Sequence, residues 1–325
     1  METRSLGKYG PALSILGLGT WSMAGSWRYG WGHVEEKQAL ATLHRALDRG
    51  INWIDTAPVY GLGRAESLVA KAVNVRPEKI FVASKCGIWW NSKGKLRHDL
   101  APAMIHREID ATLERLQMKR LDLYQIHWPD PRFPIEKSWR VLKKLLEKGV
   151  VLRIGLSNVS LEQLEKCQSI YPVHSLQPPY NLLRREAQET LFPFCRNHGI
   201  GVLAYSPLFS GLLSESFQPE IQSEDDWRRR DQAFQEPALG VYRQFVGKLK
   251  EIADSCHSSV INLALSWVTS HPEVTSAIVG ARQPEHIDRI LDTPYPDMTP
   301  RLKKQLLNLA ANVETNIGKY KPPSH

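Results

Sequence analysis

Short runs of apolar and β-branched residues alternate along the chain with longer stretches in which apolar residues recur every three or four positions. The short runs predict strands, and the longer stretches predict amphipathic helices. About eight strand-then-helix units follow one another, which is the pattern of a parallel sheet covered by helices. The predicted strands are residues 15–19, 52–56, 80–84, 121–127, 151–156, 175–177, 201–205 and 276–279.

The predicted helices carry recognisable start and stop signals. One begins near Val34 and stops at Gly50, another opens at Pro102, and a third covers residues 135–147 and stops before Gly149. Proline is favoured in the first turn of a helix, and glycine is favoured just beyond the last turn. Each unit therefore reads as strand, loop and helix.

The units follow one another without a linker rich in proline, glycine or serine, so we predict a single domain over residues 1–325. Its predicted fold class is α/β, a closed (β/α)8 TIM barrel with a long loop after the seventh strand and a C-terminal helical tail. An open doubly wound sheet is the alternative architecture. Against it, no strand is followed by the GxGxxG turn with which such sheets bind dinucleotides.

Two segments interrupt the regular spacing. Residues 21–33 are rich in tryptophan and glycine and follow the first predicted strand. Residues 209–239 form the longest stretch without clear periodicity and follow the seventh. Long loops in compact domains are usually functional, so we expect a lid over the functional face of the barrel.

The composition is that of an ordinary globular protein. Of the 325 residues, 42% are hydrophobic and 23% are charged, and the mean hydropathy is -0.34. No run reaches the roughly 18 consecutive apolar residues of a membrane helix. The first residues lack the apolar stretch of a signal peptide. We therefore expect no membrane partner and a cytoplasmic location.

The charge balance does not indicate a nucleic-acid partner. The 42 Lys and Arg exceed the 34 Asp and Glu, but the basic residues are scattered among acidic ones. The densest cluster, residues 225–231, is nearly self-neutralising and is expected to be a solvated loop, with a phosphate-binding patch as the alternative. The four cysteines lie far apart and form no CxxC pair, so we expect neither a metal site nor disulfides.

Four polar residues lie where predicted strands end, which is where reactive side chains gather in a β/α barrel. They are Asp55, Tyr60, Lys85 and His127. Taken singly, Asp55 could cap a turn, Tyr60 could be a half-buried aromatic, and His127 could be a core histidine with its hydrogen bonds satisfied. Lys85 is harder to explain alone, because a lysine at the end of an apolar run needs a carboxylate partner.

Taken together, the four residues form a device for proton donation. A phenol is a weak acid near neutral pH, because its usual pKa is about 10. The Lys85 ammonium would stabilise the tyrosinate left behind, and Asp55 would keep that ammonium charged and oriented. His127 would bond the substrate carbonyl and fix its orientation. We therefore predict Tyr60 as the acid, with Lys85 and Asp55 as its relay.

These residues and their surroundings resemble the aldo-keto reductase superfamily, whose catalytic tetrad is Asp, Tyr, Lys and His in that order. The resemblance covers nearly the whole chain, and the HWPDP and QPPYNLL segments are most similar to the bacterial general stress-type branch. The matching segments are GLGTW at 17–21, DTAPVYG at 55–61, SK at 84–85, DLYQIHWPDP at 122–131, IGLSN at 154–158, LQPPYNLL at 176–183, AYSPL at 204–208 and VGAR at 279–282.

The resemblance implies an extended NADPH molecule lying across the barrel mouth. It assigns the nicotinamide carboxamide to Ser157, Asn158 and Gln177, and the stacking surface beneath the ring to Tyr205. The pyrophosphate would be wrapped by Ser206, Pro207, Leu208 and Gly211. The other expected cofactor contacts are Gly19, Thr20, Trp21, Asp55, Gly280, Ala281, Arg282, His286 and Arg289.

Arg282 is the expected determinant of NADPH over NADH, because a guanidinium makes paired charge-assisted bonds with a phosphate. A surface arginine before a helix is the alternative interpretation. The sequence departs from the family where the adenine is usually held. Positions that commonly read Gln and then Glu-Asn are His286, Arg289 and Ile290.

An unusual concentration of indoles predicts an apolar, aromatic-tolerant substrate site and broad carbonyl specificity. The alternative is that individual indoles only pack loops onto the rim. The expected substrate-binding residues are Trp21, Trp27, Trp31, Trp89, Trp90, His127 and Trp128.

Two other functions compete with carbonyl reduction. A metal-dependent barrel hydrolase would need ligands such as an HxH pair on the first strand, and residues 15–20 contain no histidine. A reductase-like subunit of a membrane channel, which senses cofactor and turns over slowly, is the other alternative.

Overall fold

Eight parallel strands form a closed barrel in the computed structural model, which describes residues 1–215 and 223–317. Its strands are β3, β4, β5, β8, β9, β10, β11 and β12, and β12 pairs with β3 to close it. In chain order the strands are β1 (Thr3–Ser5), β2 (Ala12–Ser14), β3 (Leu16–Gly19), β4 (Trp53–Asp55), β5 (Phe81–Cys86), β6 (Ile88–Trp90), β7 (Leu96–His98), β8 (Leu123–Ile126), β9 (Ile154–Ser157), β10 (Ser175–Gln177), β11 (Gly201–Ala204) and β12 (Val274–Gly280).

Helices connect successive barrel strands. One helix follows each barrel strand from β3 to β10, whereas both α7 and α8 lie between β11 and β12. The helices are α1 (Glu36–Asp48), α2 (Arg64–Val73), α3 (Pro102–Leu116), α4 (Ile135–Glu147), α5 (Leu161–Ile170), α6 (Glu186–His198), α7 (Ala238–Ser255), α8 (Val260–Thr269), α9 (Pro284–Asp292) and α10 (Pro300–Ile317).

The predicted TIM barrel is confirmed, with all eight strands near their expected positions. Two antiparallel hairpins, β1 with β2 and β6 with β7, were not predicted. Their strands are three residues long, and β7 is mostly exposed, so they lack the apolar alternation that indicates a strand. The predicted lid contains short 3-10 turns at Trp227–Arg230 and Gln232–Phe234, and its residues 216–222 lie outside the described part of the chain.

The first hairpin contributes to the packing inside the barrel. Leu6 and Leu13 cluster with Trp53, Leu123 and other inward-facing strand residues. The Trp53 indole is fully buried, and its N–H donates to Ser276 Oγ at 3.0 Å. A packed interior of this kind restricts ligands to the end of the barrel where the strands terminate.

Strand register brings the polar residues to that end. Gly19 on β3 pairs with Asp55 on β4, which in turn pairs with Ala83 on β5. Lys85 lies two residues further along β5 and therefore projects into the same interior as Ala83. Because all the strands are parallel, their carboxyl ends meet at one rim.

A substitution at Gly17 tests how tightly the interior of the barrel is packed. A Cβ at Gly17 would lie 2.0 Å from Cε2 of the buried Trp53 indole. Overpacking a core usually costs about 1–3 kcal/mol, so Gly17→Ala should lower the free energy of unfolding by at least that amount in urea denaturation. Gly247→Ala is the matched control, because nothing lies within 4 Å of its Cβ in α7. It should be neutral or stabilising by about 0.5–1 kcal/mol; equal stabilities for the two variants would contradict the packing argument.

Candidate active site

Asp55, Lys85 and Tyr60 converge at the carboxyl end of the barrel. Lys85 Nζ donates to Asp55 Oδ1 and Oδ2 at 2.8 and 2.7 Å and to the Thr56 carbonyl at 2.9 Å. Tyr60 OH lies 3.4 Å from the same nitrogen. An ammonium has three protons and no lone pair, and here it faces only acceptors. The geometry is therefore that of a charged lysine held by a carboxylate beside a phenol.

Burial is the largest influence on the pKa values of Lys85 and Tyr60. It lowers the pKa of Lys85, and the charge and hydrogen bonds of Asp55 oppose that lowering. Burial raises the pKa of Tyr60 well above its usual value, and the negative charge of Asp55 raises it further. The sequence predicts that the Lys85 ammonium stabilises the tyrosinate. In the protein by itself the pKa of Tyr60 moves in the opposite direction, because burial and the negative charge of Asp55 both disfavour the tyrosinate.

His127 lies on the wall of the cleft rather than in the core. Its ring meets the Tyr60 ring edge-on, with the centroids 5.8 Å apart. Burial, followed by the positive charge of Lys85, lowers the pKa of His127 well below its usual value. The imidazole is therefore neutral at physiological pH and carries one N–H donor.

A second polar network lies beside the first. Gln177 Nε2 donates to Asp55 Oδ1 at 2.8 Å, and Ser157 Oγ donates to the Gln177 carbonyl at 2.8 Å. Asn158 donates to the His127 carbonyl at 2.9 Å and accepts from Tyr205 OH at 2.8 Å. Of the residues expected to hold a carboxamide, Gln177 and Asn158 are thus bonded directly to Asp55 and His127, and Ser157 is joined to them through Gln177.

A cleft of about 940 Å³ runs across this end of the barrel. Most of the predicted site residues line it, whereas Lys85 lies behind Asp55 and Tyr60. The predicted residues along the cleft are Gly19, Trp21, Trp27, Trp31, Asp55, Tyr60, His127, Trp128, Ser157, Asn158, Gln177, Tyr205, Ser206, Pro207, Leu208, Gly211, Gly280, Ala281, Arg282, His286 and Arg289.

Three predicted contact residues do not line the cleft among the residues that the structure describes. Thr20 is fully buried, and its hydroxyl donates to the Asp55 carbonyl at 3.1 Å. Trp89 and Trp90 lie on the β6–β7 hairpin, where the Arg107 and Arg115 guanidinium groups lie near their rings. These two indoles therefore pack the rim beside the described cleft, and their expected contact with substrate stays a prediction.

The two irregular segments meet across the cleft and form what we call the loop bridge, residues 21–33 with 223–231. Trp227 N–H donates to the Gly30 carbonyl at 3.0 Å, and the Trp21 and Trp227 rings stack with centroids 5.5 Å apart. The Arg228 guanidinium lies 4.0 Å from the Trp31 ring centroid. The sequence predicted that residues 209–239 form a lid over the functional face, but it did not predict that this lid contacts residues 21–33.

The charged cluster at 225–231 is not simply a solvated loop. Asp226 is 1% exposed and Arg228 is 7% exposed, and the two form a salt bridge of 2.6 Å. Arg228 also donates to the Ser210 carbonyl at 3.0 Å and lines the cleft. Arg228, which lines the cleft, and Trp227, which stacks on Trp21, were not predicted as site residues, because a densely charged run gives no signal of burial before the fold brings its partners together.

Basic groups gather at the end of the cleft remote from Tyr60. Arg282 follows β12, and its guanidinium donates to the His33 carbonyl at 2.9 Å. His286 and Arg289 lie on α9 and line the same stretch. Burial lowers the pKa of Arg282, and Asp226 counteracts this. The chemistry here suits an anionic group.

The cleft fits a nicotinamide dinucleotide in size and in donor chemistry. Its amide-rich end adjoins Tyr60 and its basic end adjoins Arg282, as an uncharged carboxamide and a phosphate require. Gly280 lies on the wall between them. A Cβ there would lie 3.1 Å from Ser22 Oγ, which also lines the cleft, so a side chain at this position would crowd the wall.

The chain belongs to the aldo/keto reductase family, whose model matches residues 15–294. It is 38% identical over 294 residues to the aldo-keto reductase YhdN of Bacillus subtilis strain 168, covering 89% of this chain and 88% of that one. It is 30% identical over 307 residues to an NADH-specific methylglyoxal reductase of Escherichia coli K12, covering 88% and 91%. The glycerol dehydrogenase AKR11B4 of Gluconobacter oxydans has a similar structure, with a TM-score of 0.84, 34% identity and coverage of 99% and 97%.

Membership of this family makes the protein an oxidoreductase that acts on carbonyl compounds with a nicotinamide cofactor. None of the helices within the described residues is long and apolar enough to cross a membrane.

Asp55→Asn tests the buried ion pair. The change keeps the shape of the side chain but leaves the fully buried Lys85 ammonium without a carboxylate. Removing one partner of a buried pair typically costs about 3–5 kcal/mol, so the free energy of unfolding in urea should fall by that order. Adding Lys85→Met should restore part of the loss, because no uncompensated charge remains. A loss below about 1 kcal/mol would show that the pair is not the constraint inferred from its geometry.

Proposed function

We propose that this protein reduces aldehydes and ketones to alcohols with NADPH, and that Tyr60 supplies the proton. The observation that carries the proposal is the position of Lys85 Nζ, 2.7 Å from Asp55 and 3.4 Å from Tyr60 OH, beside the neutral His127 ring. Acid, relay and carbonyl-orienting donor thus lie around one space at the barrel mouth.

The raised pKa of Tyr60 suits an acid rather than opposing that role. It keeps the phenol protonated at physiological pH, so the proton is present when the substrate arrives. The neutral His127 ring donates a hydrogen bond to the carbonyl oxygen, which polarises and orients it. The cofactor, when bound, supplies a hydride to the carbonyl carbon.

Proton transfer completes the reduction. As negative charge develops on the substrate oxygen, Tyr60 gives it the phenolic proton, and the Lys85 ammonium stabilises the tyrosinate that remains. Asp55 holds that ammonium by two oxygens, and Gln177 holds Asp55 from the cofactor side. Hydride and proton together convert the carbonyl into an alcohol, and solvent reprotonates Tyr60.

Ser157, Asn158 and Gln177 would hold the carboxamide, and Tyr205 would support the nicotinamide ring. Tyr205 is tied to Asn158 by a 2.8 Å hydrogen bond, so ring support and carboxamide binding share one rigid unit. Backbone and hydroxyl groups of Ser206, Pro207, Leu208 and Gly211 would surround the pyrophosphate, where the chain turns through left-handed conformations at Ser206 and Gly211.

NADPH is proposed over NADH because Arg282, His286 and Arg289 line one end of the cleft. The methylglyoxal reductase of Escherichia coli is NADH-specific by name, so family membership does not decide the coenzyme. A 2′-phosphate supplies a dianion that suits this basic end of the cleft, whereas NADH has an uncharged hydroxyl at the same point.

Small apolar and aromatic carbonyl compounds are the proposed substrates, with broad specificity. Beside Tyr60 and His127 the cleft wall consists mainly of apolar and aromatic side chains, which favour desolvated aryl or alkyl groups. The residues of this wall are Trp21, Trp27, Val59, Ile88, Leu96 and Trp128. A cytoplasmic setting, where NADPH is available, suits this chemistry.

Tyr60→Phe should abolish most of the reduction of 4-nitrobenzaldehyde while leaving cofactor binding intact. A positioned general acid contributes about 10²–10⁴-fold to rate, so kcat should fall by that order, whereas the Kd for NADPH should change less than about threefold. NADPH oxidation at 340 nm and fluorescence titration measure the two quantities.

Tyr9→Phe is the control for this variant, because its phenol is 84% exposed on the first hairpin. Full activity in Tyr60→Phe would refute the assignment of the acid. Negligible turnover of the unaltered protein with every aldehyde and ketone tested would instead favour the cofactor-sensing channel subunit.

Arg282→Ala should weaken NADPH binding far more than NADH binding. Charge-assisted hydrogen bonds contribute about 1.5–3 kcal/mol, so the Kd for NADPH should rise by about ten- to hundredfold. The control is Arg196→Ala, because this arginine belongs to a different ion pair. Arg196 pairs at 2.9 Å with Glu273, which lies just before β12. Equal losses of affinity for the two coenzymes would exclude Arg282 as a phosphate clamp.

A further inference from the structure

His286 occupies a position at which the sequence departs from its family. The side chain projects from the first turns of α9 into the basic end of the cleft, close to Arg282 and Arg289. A glutamine, which is common in the family at this position, cannot become charged by taking up a proton. A histidine can change its charge between pH 5 and 8.

The Nδ1 atom of His286 faces a hydrogen-bond donor. Its Nδ1 faces the backbone N–H of Arg282 at 3.4 Å, and its Nε2 lies 3.0 Å from the side-chain nitrogen of Gln283. The neutral ring can accept the Arg282 N–H at Nδ1 while it carries its own proton on Nε2, whereas protonation would place a second N–H on Nδ1, pointing at another N–H. A phosphate in the cleft would supply oxygen acceptors.

The charges around the ring also disfavour its protonated form. Burial is the largest cause of the lowered pKa of His286, followed by the positive charges of Arg289 and Arg282, whereas Glu285 opposes them. On the α1 side of the helix, Asp288 is paired with Arg45 and Arg49. From the loop bridge, Asp226 and Arg228 act on Arg282 with opposite signs.

We infer that His286 takes up a proton when the 2′-phosphate of NADP(H) binds, so that selectivity for NADP(H) over NAD(H) increases as pH falls. This inference rests on the proposed use of NADPH. A phosphomonoester brings about −1.5 to −2 charges at neutral pH, which reverses the local field and provides acceptors for the ring. NAD(H) brings a hydroxyl at that point, so its binding takes up no proton there.

The sign of the effect follows from linkage between binding and protonation. The pKa of His286 lies below its usual value before binding and rises when the phosphate arrives. Between those two pKa values, each pH unit of acidification tightens NADP(H) binding by up to about tenfold. The phosphate itself titrates near pH 6, so the informative window is about pH 6.5–8.5.

The test measures the Kd of NADP⁺ and of NAD⁺ by tryptophan fluorescence titration across that window. For the unaltered protein, the ratio of the NAD⁺ Kd to the NADP⁺ Kd should rise about five- to tenfold on going from pH 8.5 to 6.5. In His286→Gln the ratio should stay within about twofold. His198→Gln is the matched control, because His198 is exposed at the end of α6 and bonds only its own helix at Phe194 among the described contacts. It should behave as the unaltered protein does.

Calorimetry in buffers of different ionisation enthalpy provides a second measurement that needs no variant. Near pH 7, NADP⁺ binding should take up a substantial fraction of one proton more than NAD⁺ binding. An equal proton uptake for the two coenzymes, or the same pH dependence of the ratio in His286→Gln, would overturn the inference while leaving an NADP(H) preference intact. Equal affinity for NADP⁺ and NAD⁺ at every pH would instead overturn the proposed coenzyme.

Discussion

The buried pairing of Lys85 with Asp55 is the interaction on which the site depends. Both side chains are almost completely shielded from water, so neither charge is stable there without the other. That requirement fixes the ends of β4 and β5 relative to each other. Gln177 extends the constraint to β10, and through Ser157 it reaches β9. The proposed acid and the proposed carboxamide site are therefore positioned by one continuous set of bonds.

Electrostatics divides the cleft into two unlike ends. Around Tyr60 the side chains are shielded from water, and this burial keeps the phenol protonated and the His127 ring neutral. Around Arg282 the basic groups outnumber the acidic ones that offset them. A ligand with an uncharged head and a charged tail is thereby oriented in one direction along the groove.

The sequence predicted the barrel and the meeting of Asp55, Tyr60 and Lys85, because parallel strands end at a common rim. It could not predict what depends on the paths of loops. Trp89 and Trp90 looked like part of the pocket until the β6–β7 hairpin turned them toward Arg107 and Arg115. The pKa of Tyr60 was equally inaccessible, because it depends on how completely the folded chain removes water from the phenol.

The loop bridge links parts of the chain that are widely separated in sequence. Arg230, for example, reaches the Arg28 carbonyl 202 positions earlier. The stacked rings and backbone hydrogen bonds of the loop bridge lie above the strand ends and are not part of the hydrogen-bonded wall of the barrel. Separating the two loops therefore leaves the strands paired. Substitutions that weaken contacts across the bridge can therefore shorten the residence time of a bound molecule while the hydrogen bonds that close the barrel remain as they are.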